Sequence, residues 1–274
     1  MLEDRVAPRA PREAPVKAIA IVAVVVALVA AGAYFLWPGN PPPPPPPAPA
    51  AKAPPPPPPP HYEVGASNEP LPKLAESDGA AMDALRKLLD PAAIAKLIVP
   101  ESLIRNFVAT IDSLPRDNLS MRVSPVRPAA GTMKTTGHEG SLAIAPANDA
   151  RYAPYVAALE STNTAAVVDT YVRLYPLFQQ AYVELGFPNG YFNDRLVEVI
   201  DHLLEAPDLK APVKLVSPKV LFLYADPDLE KRSAGQKIMM RMGAANEARV
   251  KAKLRDYRAA LVAKTPPQPA KPAK

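Results

Sequence analysis

A proline-rich segment constrains this chain more than any other feature. Sixteen of its 38 prolines lie between Pro38 and Pro60. Because proline fixes φ near −65° and has no backbone N–H, the segment excludes α-helix and sheet interior and favours extended polyproline II. At about 3.1 Å per residue, it reaches roughly 70 Å. We therefore predict a stiff linker over residues 38–70, which separates an N-terminal part from a later domain.

The N-terminal part contains an uncharged apolar run at residues 18–37, AIAIVAVVVALVAAGAYFLW. A helix of this length, at 1.5 Å per residue, matches the roughly 30 Å hydrocarbon core of a bilayer. We predict one transmembrane helix here, with the lipid bilayer as its partner. The alternative is a cleaved signal peptide, since AGA at residues 31–33 resembles a cleavage site. We prefer a retained anchor because YFLW prolongs the apolar run beyond that site.

The distribution of basic residues predicts the orientation of this helix. Arg5, Arg9, Arg12 and Lys17 precede the run, whereas the following segment carries only Lys52. By the positive-inside rule, residues 1–17 lie in the cytoplasm and everything after the span lies outside that membrane. In a bacterium the protein is then a single-pass inner-membrane protein with a periplasmic domain. The inverted topology, with the domain facing the cytoplasm, stays as an alternative.

Residues 71–263 carry repeated amphipathic helix signals, and we predict a compact, mainly α-helical domain. Within it, the glycine-rich stretch at residues 131–144 predicts a small β-hairpin or extended insertion. Residues 213–226 fit a strand or a buried helix equally well. Pro176 is predicted to open a helix that Gly186 closes. Residues 264–274 are predicted to be a disordered basic tail.

Four stretches of this domain carry a family resemblance: LPKLAESD, VPESLIRNFVATIDSLPR, YPLFQQAYVELGFPNGYFNDRLVEVIDHLL and SAGQKIMMRMG. Together they resemble the bacterial domain-of-unknown-function family 3014, over roughly residues 70–263. The resemblance implies a layout of short N-terminus, single membrane span, variable linker and this domain. It implies no established activity and no site residues.

The strongest chemical candidate is a row of acids in NGYFNDRLVEVIDHLLE, at residues 189–205. Asp194, Glu198, Asp201 and Glu205 fall within one narrow stripe of a helix, which we call the acidic stripe. Asn193 is predicted to cap this helix, and His202 lies beside Glu198. We predict a binding surface made of Tyr191, Asn193, Asp194, Glu198, Asp201, His202 and Glu205.

Neighbouring acids on a helix repel one another, so the acidic stripe needs an explanation. A solvated surface is the plainest one. A second is the basic C-terminal helix, with Arg249, Lys251, Lys253, Arg255 and Arg258, lying against the stripe. A third is a divalent metal on Glu198 and His202, which would need a third ligand. The fourth is a cell-envelope hydrolase with Asp194, Glu198 or Asp201 as catalytic carboxylates.

Other sequence patterns restrict the function further. The chain has no cysteine, which excludes disulfides, thiol nucleophiles and cysteine-based metal sites. Motifs for nucleotide binding, zinc proteases and serine hydrolases do not occur, so we expect no cofactor, no metal, no nucleic-acid partner and, on balance, no enzyme. Tyr171, Tyr175, Phe178 and Tyr182 share one helix face and are predicted to be core. We predict a membrane-anchored scaffold or tether for an envelope protein or peptidoglycan.

Overall fold

The structure is a computed structural model that describes residues 61–65, 69–138, 140–210, 212–218 and 221–268. All of them belong to one compact unit, Pro57–Lys274. The predicted cytoplasmic N-terminus, transmembrane helix and proline runs, at residues 1–60, lie outside the described residues, as does the end of the predicted tail. None of the helices in the described ranges is both long enough and apolar enough to cross a membrane.

The described part of the chain is mainly α-helical, as predicted. Its α-helices are α1 (Asp78–Leu88), α2 (Pro91–Leu97), α3 (Leu103–Ser113), α4 (Ala153–Ser161), α5 (Thr164–Glu184), α6 (Phe192–Leu204), α7 (Pro227–Glu230), α8 (Ala234–Arg241) and α9 (Ala244–Lys264). Short 3-10 helices occupy Leu74–Glu76, Met121–Val123 and Pro146–Arg151.

Short antiparallel strand pairs complete the fold. Strands β2 (Thr135–Thr136) and β3 (Ala143–Ile144) form the hairpin predicted at residues 131–144. Strands β4 (Leu215–Val216) and β5 (Leu223–Tyr224) form a second hairpin, in the segment that the sequence left ambiguous. A bridge between Ala143 and Lys214 joins the two hairpins.

The ends of the domain meet in a third strand pair. Strand β1 (His61–Tyr62) lies in the predicted linker and β6 (Pro267–Gln268) in the predicted tail, yet Tyr62 pairs with Pro267 and His61 with Gln268. The domain therefore extends beyond residues 71–263 in both directions. Because these strands are only two residues long, the pairing depends on the side chains that surround it.

The prediction that Pro176 opens a helix is wrong. Helix α5 runs without interruption from Thr164 to Glu184, with Pro176 inside it. A proline at this place removes one backbone hydrogen bond, at a cost of about 3 kcal/mol. Burial of Tyr171, Leu174 and Leu177 on both sides of it offsets that cost. Gly186 follows the end of the helix with φ of 115°, as predicted.

Two helices begin without a hydrogen bond to their own N-cap side chain. Ser77 precedes α1, but its hydroxyl donates to the Leu74 carbonyl oxygen and not to the helix. Helix α3 begins at Leu103, after Ser102. There the Asp78 carboxylate of α1 accepts hydrogen bonds from the backbone N–H groups of Ser102, at 2.7 Å, and Leu103, at 2.8 Å. One aspartate thus satisfies the first amides of a different helix.

An aromatic cluster at the centre of the core joins α3, α5 and α6. Phe192 is fully buried, and its ring lies 5.9 Å from Phe178, 6.3 Å from Phe107 and 5.6 Å from Tyr182, measured between centroids. Tyr171 and Tyr182 are buried, while Tyr175 and Phe178 are half-buried against them. The prediction that these α5 aromatic residues build the core is confirmed.

Candidate functional site

The helix that carries the acidic stripe begins two residues earlier than predicted. Helix α6 starts at Phe192 with Tyr191 in the N-cap position, so Asn193 does not cap it. Asn193 is fully buried and cannot belong to a binding surface. Tyr191, by contrast, is 51% exposed.

Asn193 instead connects four segments of the domain. Its Oδ1 accepts a hydrogen bond from the Tyr171 hydroxyl of α5, at 3.1 Å. Its Nδ2 donates to the Tyr62 carbonyl oxygen, at 2.9 Å, and to Thr265 Oγ1, at 3.2 Å. The side chain therefore holds the first strand and the chain after α9 against α6. A buried amide with partners on both ends is well satisfied, which makes it costly to replace.

Asp194, the first acid of the stripe, binds the segment that follows the prolines. Its Oδ2 lies 2.8 Å from His61 Nδ1, and its Oδ1 accepts the Tyr62 backbone N–H at 2.7 Å. The His61 ring also contacts the exposed Tyr191 ring, with 4.0 Å between centroids. We call His61, Tyr62, Tyr191, Asn193 and Asp194 the linker junction. Sequence patterns do not reveal this junction, because His61 and Tyr62 directly follow the prolines and were predicted to belong to the linker.

Asp201 pairs with Arg258 of the basic C-terminal helix, so one of the explanations considered for the acidic stripe holds at this one acid. Arg258 donates to both oxygens of Asp201, from Nη2 to Oδ2 at 2.9 Å and from Nε to Oδ1. The hydrogen bond raises the pKa of Arg258, so the pair stays charged. Lys253, which was also predicted to face the stripe, donates to the Thr162 carbonyl oxygen instead.

Glu198 is paired within its own helix. Arg195 Nη1 lies 2.9 Å from Glu198 Oε1, and Arg195 Nε lies 3.0 Å from Oδ1 of the buried Asp112. Glu198 is still 66% exposed in its side chain. The arginine at i − 3 interrupts the like-charge repulsion, and its position in the sequence was the signal that could have revealed it. Glu205, at the end of α6, is exposed.

His202 is tied to the following helix. Its Nε2 lies 2.7 Å from Ser233 Oγ, and its carbonyl oxygen accepts from Gln236 Nε2 at 2.9 Å. In the parts of the chain that the structure describes, no three His, Asp or Glu side chains are grouped so that they could hold a metal ion. Through these two contacts, His202 connects α6 with α8.

The acidic stripe is thus divided among separate partners. Asp194 faces His61, Glu198 faces Arg195 and Asp201 faces Arg258. None of the three carboxylates lines either of the two cavities described below. A glycosidase needs two carboxyl groups on opposite sides of one substrate bond, in environments that separate their pKa values. The arrangement of these three supplies no such shared cleft.

We expect the Asp201–Arg258 pair to be measurable but modest. Both side chains are more than a third exposed, so solvent screens the interaction and the coupling energy should be about 0.5–1 kcal/mol. A double-mutant cycle with Asp201→Asn and Arg258→Gln, followed by urea denaturation, measures it. The same cycle on Asp83 and Arg86, an exposed pair within α1, is the control and should give less. Equal coupling in the two cycles would contradict the contact between α6 and α9.

An apolar cavity of about 490 Å³ lies among α1, α3, α5, α6 and α9. Its wall includes Ala84, Ile104, Val168, Leu174, Val199 and Leu261. Three of the four hydroxyl groups in the wall have protein partners, since Tyr171 bonds to Asn193, Thr162 to the Leu159 carbonyl oxygen and Tyr257 to Thr162. Water in such a space would find few of the polar partners that hold buried water. The cavity is partly open at the surface of the domain.

A smaller, polar cavity of about 220 Å³ is lined by Asp208, Glu247, Lys251 and Arg255. Lys251 is buried, and its Nζ lies 3.0 Å from Glu247 Oε1, 2.5 Å from Asp208 Oδ1 and 2.5 Å from the Ala206 carbonyl oxygen. Burial by itself would lower the pKa of Lys251, but the two carboxylates outweigh burial and raise it. The ammonium group therefore stays charged and joins α9 to the end of α6.

A further ion pair joins α9 to α4 and predicts a pH dependence. A hydrogen bond from Arg249 lowers the pKa of Glu160 below its ordinary value of 4.5. The pair therefore stabilises the fold at pH values above 4.5. This contribution is lost as the pH falls through the pKa that Glu160 has in the folded protein, which lies below its ordinary value. We expect Glu160→Gln to lower the melting temperature by on the order of 1–2 °C at neutral pH and to have a smaller effect at acidic pH.

Thermal denaturation at several pH values tests this prediction. The matched control is Glu101→Gln, at an exposed position outside the α4–α9 contact, which should change the melting temperature little at either pH. A deficit of Glu160→Gln that persists undiminished at low pH would contradict the role of this ion pair.

Exposed apolar residues cluster along the chain at the turn between α5 and α6. Val183 is 40% exposed, Leu185 is 41% exposed, and Tyr191 follows them. Surface apolar groups close to one another often mark contact sites for other molecules. We call these three residues, together with the exposed Glu198, the α5–α6 surface.

Comparison with known proteins identifies one matching family. No curated protein matches the chain, and no solved structure matches it either. One family, described as "Protein of unknown function (DUF3014)", matches residues 103–258, from the start of α3 to Arg258 in α9. This range is narrower than the one that the sequence motifs indicated, and it covers more than half of the 274 residues. The chain belongs to the DUF3014 family.

Proposed function

We propose that this protein is a single-pass tether of the bacterial inner membrane, with a cytoplasmic N-terminus and a periplasmic helical domain that binds an envelope partner. In this proposal, residues 18–37 anchor the chain and the proline-rich segment sets the distance of the domain from the bilayer. The partner is an envelope protein or the cell wall. The acidic stripe serves mainly to hold the domain and its linker together.

The linker junction is the observation that carries the proposal. The chain that follows the prolines is held at His61 and Tyr62 by a charged side chain, a buried amide, an aromatic contact and a strand pair. A domain on a flexible linker does not need these contacts. A domain that must keep a fixed orientation relative to a stiff linker does need them, because a flexible joint after the prolines would let the domain rotate freely. The junction therefore supports a role in positioning.

The α5–α6 surface is the part of the domain that we assign to the partner. Val183, Leu185 and Tyr191 supply apolar area, and the exposed carboxylate of Glu198 supplies charge. Aromatic residues and adjacent apolar groups are typical of protein contacts. Tyr191 also touches His61, so a partner bound here would contact the linker junction as well.

Photocrosslinking in intact bacterial cells tests the proposal. A photoreactive amino acid at Tyr191 should give a discrete adduct with an envelope component, identified by mass spectrometry. The control position is Leu221, which is 74% exposed but lies at the second hairpin, and should give no such adduct. Replacement of residues 41–60 by a flexible Gly/Ser segment of equal length should reduce the Tyr191 adduct. The proposal fails if no envelope component is recovered at Tyr191.

The topology has its own test. Alkaline phosphatase is active only outside the cytoplasm, so a fusion after His61 should be active in bacterial cells, and a fusion after Lys17 should be inactive. The opposite pattern would establish the cytoplasm-facing alternative and overturn the envelope role.

A further inference from the structure

The apolar cavity among α1, α3, α5, α6 and α9 has the properties of a ligand site. Its volume of about 490 Å³ lies within the range of small-molecule pockets, roughly 300–1,000 Å³. The cavity is also partly open at the surface of the domain, so a ligand can reach it.

The wall of the cavity restricts the chemistry of the occupant. It consists almost entirely of aliphatic and aromatic side chains, and its Thr162, Tyr171 and Tyr257 hydroxyl groups are bonded to protein atoms. A polar molecule would lose hydrogen bonds to water and gain few in return. An aliphatic chain makes no hydrogen bonds to water that it could lose, and its transfer from water to the apolar wall is favourable.

A positive charge lies beside two residues of the cavity wall. Lys253 Nζ donates to the Thr162 carbonyl oxygen at 2.6 Å and lies 5.3 Å from the centroid of the Tyr257 ring, and both of these residues line the cavity. The nearby Glu160 is already paired with Arg249. Lys253 therefore adds positive charge that no carboxylate in a direct ion pair balances, within the part of the chain that the structure describes.

We propose that this cavity binds the aliphatic chain of an anionic amphiphile, with the head group held near Lys253. A free fatty acid and an anionic phospholipid share this chemistry. The site is independent of the proposed tether role, since it rests on the domain interior and not on the α5–α6 surface or on the topology.

Photolabelling of the full-length chain in lipid nanodiscs tests the site. The first reagent is a diazirine-bearing hexadecanoic acid, and the second is a phosphatidylglycerol with the same diazirine in one chain. After irradiation, peptide mapping should place label on cavity residues of α1, α3 or α5, and unlabelled oleate should compete for it. Stronger labelling by the first reagent identifies free fatty acid as the source, and stronger labelling by the second identifies phospholipid. Label confined to residues 18–37 with both reagents would overturn the proposal.

A variant that fills the cavity, compared with a control variant outside it, distinguishes loss of the site from loss of folding. Ala84→Phe fills the cavity from α1, and Ala80→Phe places the same ring on the same helix but outside the cavity wall. We expect Ala84→Phe to reduce labelling at least tenfold without lowering the melting temperature, and Ala80→Phe to retain labelling. Val168→Phe, from α5, repeats the test should Ala84→Phe unfold the domain. Undiminished labelling in a folded, filled variant would contradict the site.

The head-group contact is tested separately. Lys253→Gln should weaken competition by oleate about tenfold but leave competition by oleyl alcohol unchanged, and Lys253→Arg should restore oleate. Equal loss for the acid and the alcohol would show that Lys253 only shapes the wall, and that outcome would overturn the assignment of the head group.

Discussion

Replacement of Lys251 by methionine should destabilise the domain by about 3–5 kcal/mol, because it leaves the Glu247 carboxylate buried without its cation. Glu247 is 2% exposed and Lys251 is 3% exposed, so water screens neither charge well. Urea denaturation of the full-length protein, followed through a signal of the helical domain, measures the loss of unfolding free energy.

The double replacement Lys251→Met with Glu247→Leu separates charge from packing. It removes both ions, so we expect it to recover at least half of the stability that Lys251→Met loses. The matched control is Lys264→Met, on the same helix, whose pair with Asp169 is about half exposed; its loss should stay below about 1 kcal/mol. A double variant no more stable than Lys251→Met would show that the lysine stem, and not the charge, holds α9 in place.

Replacement of Asn193 by leucine should cost about 2–4 kcal/mol. The change leaves the Tyr171 hydroxyl, the Tyr62 carbonyl oxygen and Thr265 Oγ1 without the bonds that Asn193 makes to them, and each unsatisfied buried group costs roughly 1–3 kcal/mol when solvent cannot compensate. The same change should raise the hydrogen exchange of the Tyr62 amide, since β1 loses a support. Chemical denaturation and exchange measured on one sample give both results.

Asn118→Leu is the matched control for this change. Asn118 is exposed, so its loss should stay within about 0.5 kcal/mol. If Asn193→Leu is nearly as stable as Asn118→Leu, the hydrogen bonds of the Asn193 side chain contribute little to the free energy of unfolding. The assignment of Asn193 to the interior would then be in doubt.

Several parts of this fold could be predicted from sequence patterns alone. The amphipathic periodicity of α3 and α6 places their apolar faces, and the glycine-rich stretch before β3 marks the first hairpin. The aromatic residues of α5 are core because their spacing keeps them on one face. The pairing of Asp201 with α9 could be anticipated from opposite charge on two helices, but the sequence did not show which of the five basic residues makes the contact; the structure gives Arg258.

Other features depend on contacts between distant segments, which a local pattern does not encode. His61 looks like the end of a proline linker, and only the fold brings it 2.8 Å from Asp194. Asn193 has the residue type of a cap, but burial against Tyr171 changes its role. Pro176 carries a strong local signal to break a helix, and the packing of α5 on both sides of it overrides that signal. The apolar cavity has no sequence signature at all, because its wall residues have the composition of any core.

We propose that the linker junction couples the motion of the proline-rich segment to that of the helical domain. Since the chain has no cysteine, spin labels at Lys52→Cys and Met121→Cys can be placed without background, and Met121 is 53% exposed. Pulsed electron paramagnetic resonance on the full-length protein in nanodiscs then measures the distribution of distances between the labels. We predict a narrow distribution that becomes at least twofold broader in His61→Ala/Asp194→Ala and stays narrow in the control Glu205→Ala. A distribution that is already broad with the junction intact, or that the double replacement leaves unchanged, would contradict the claim.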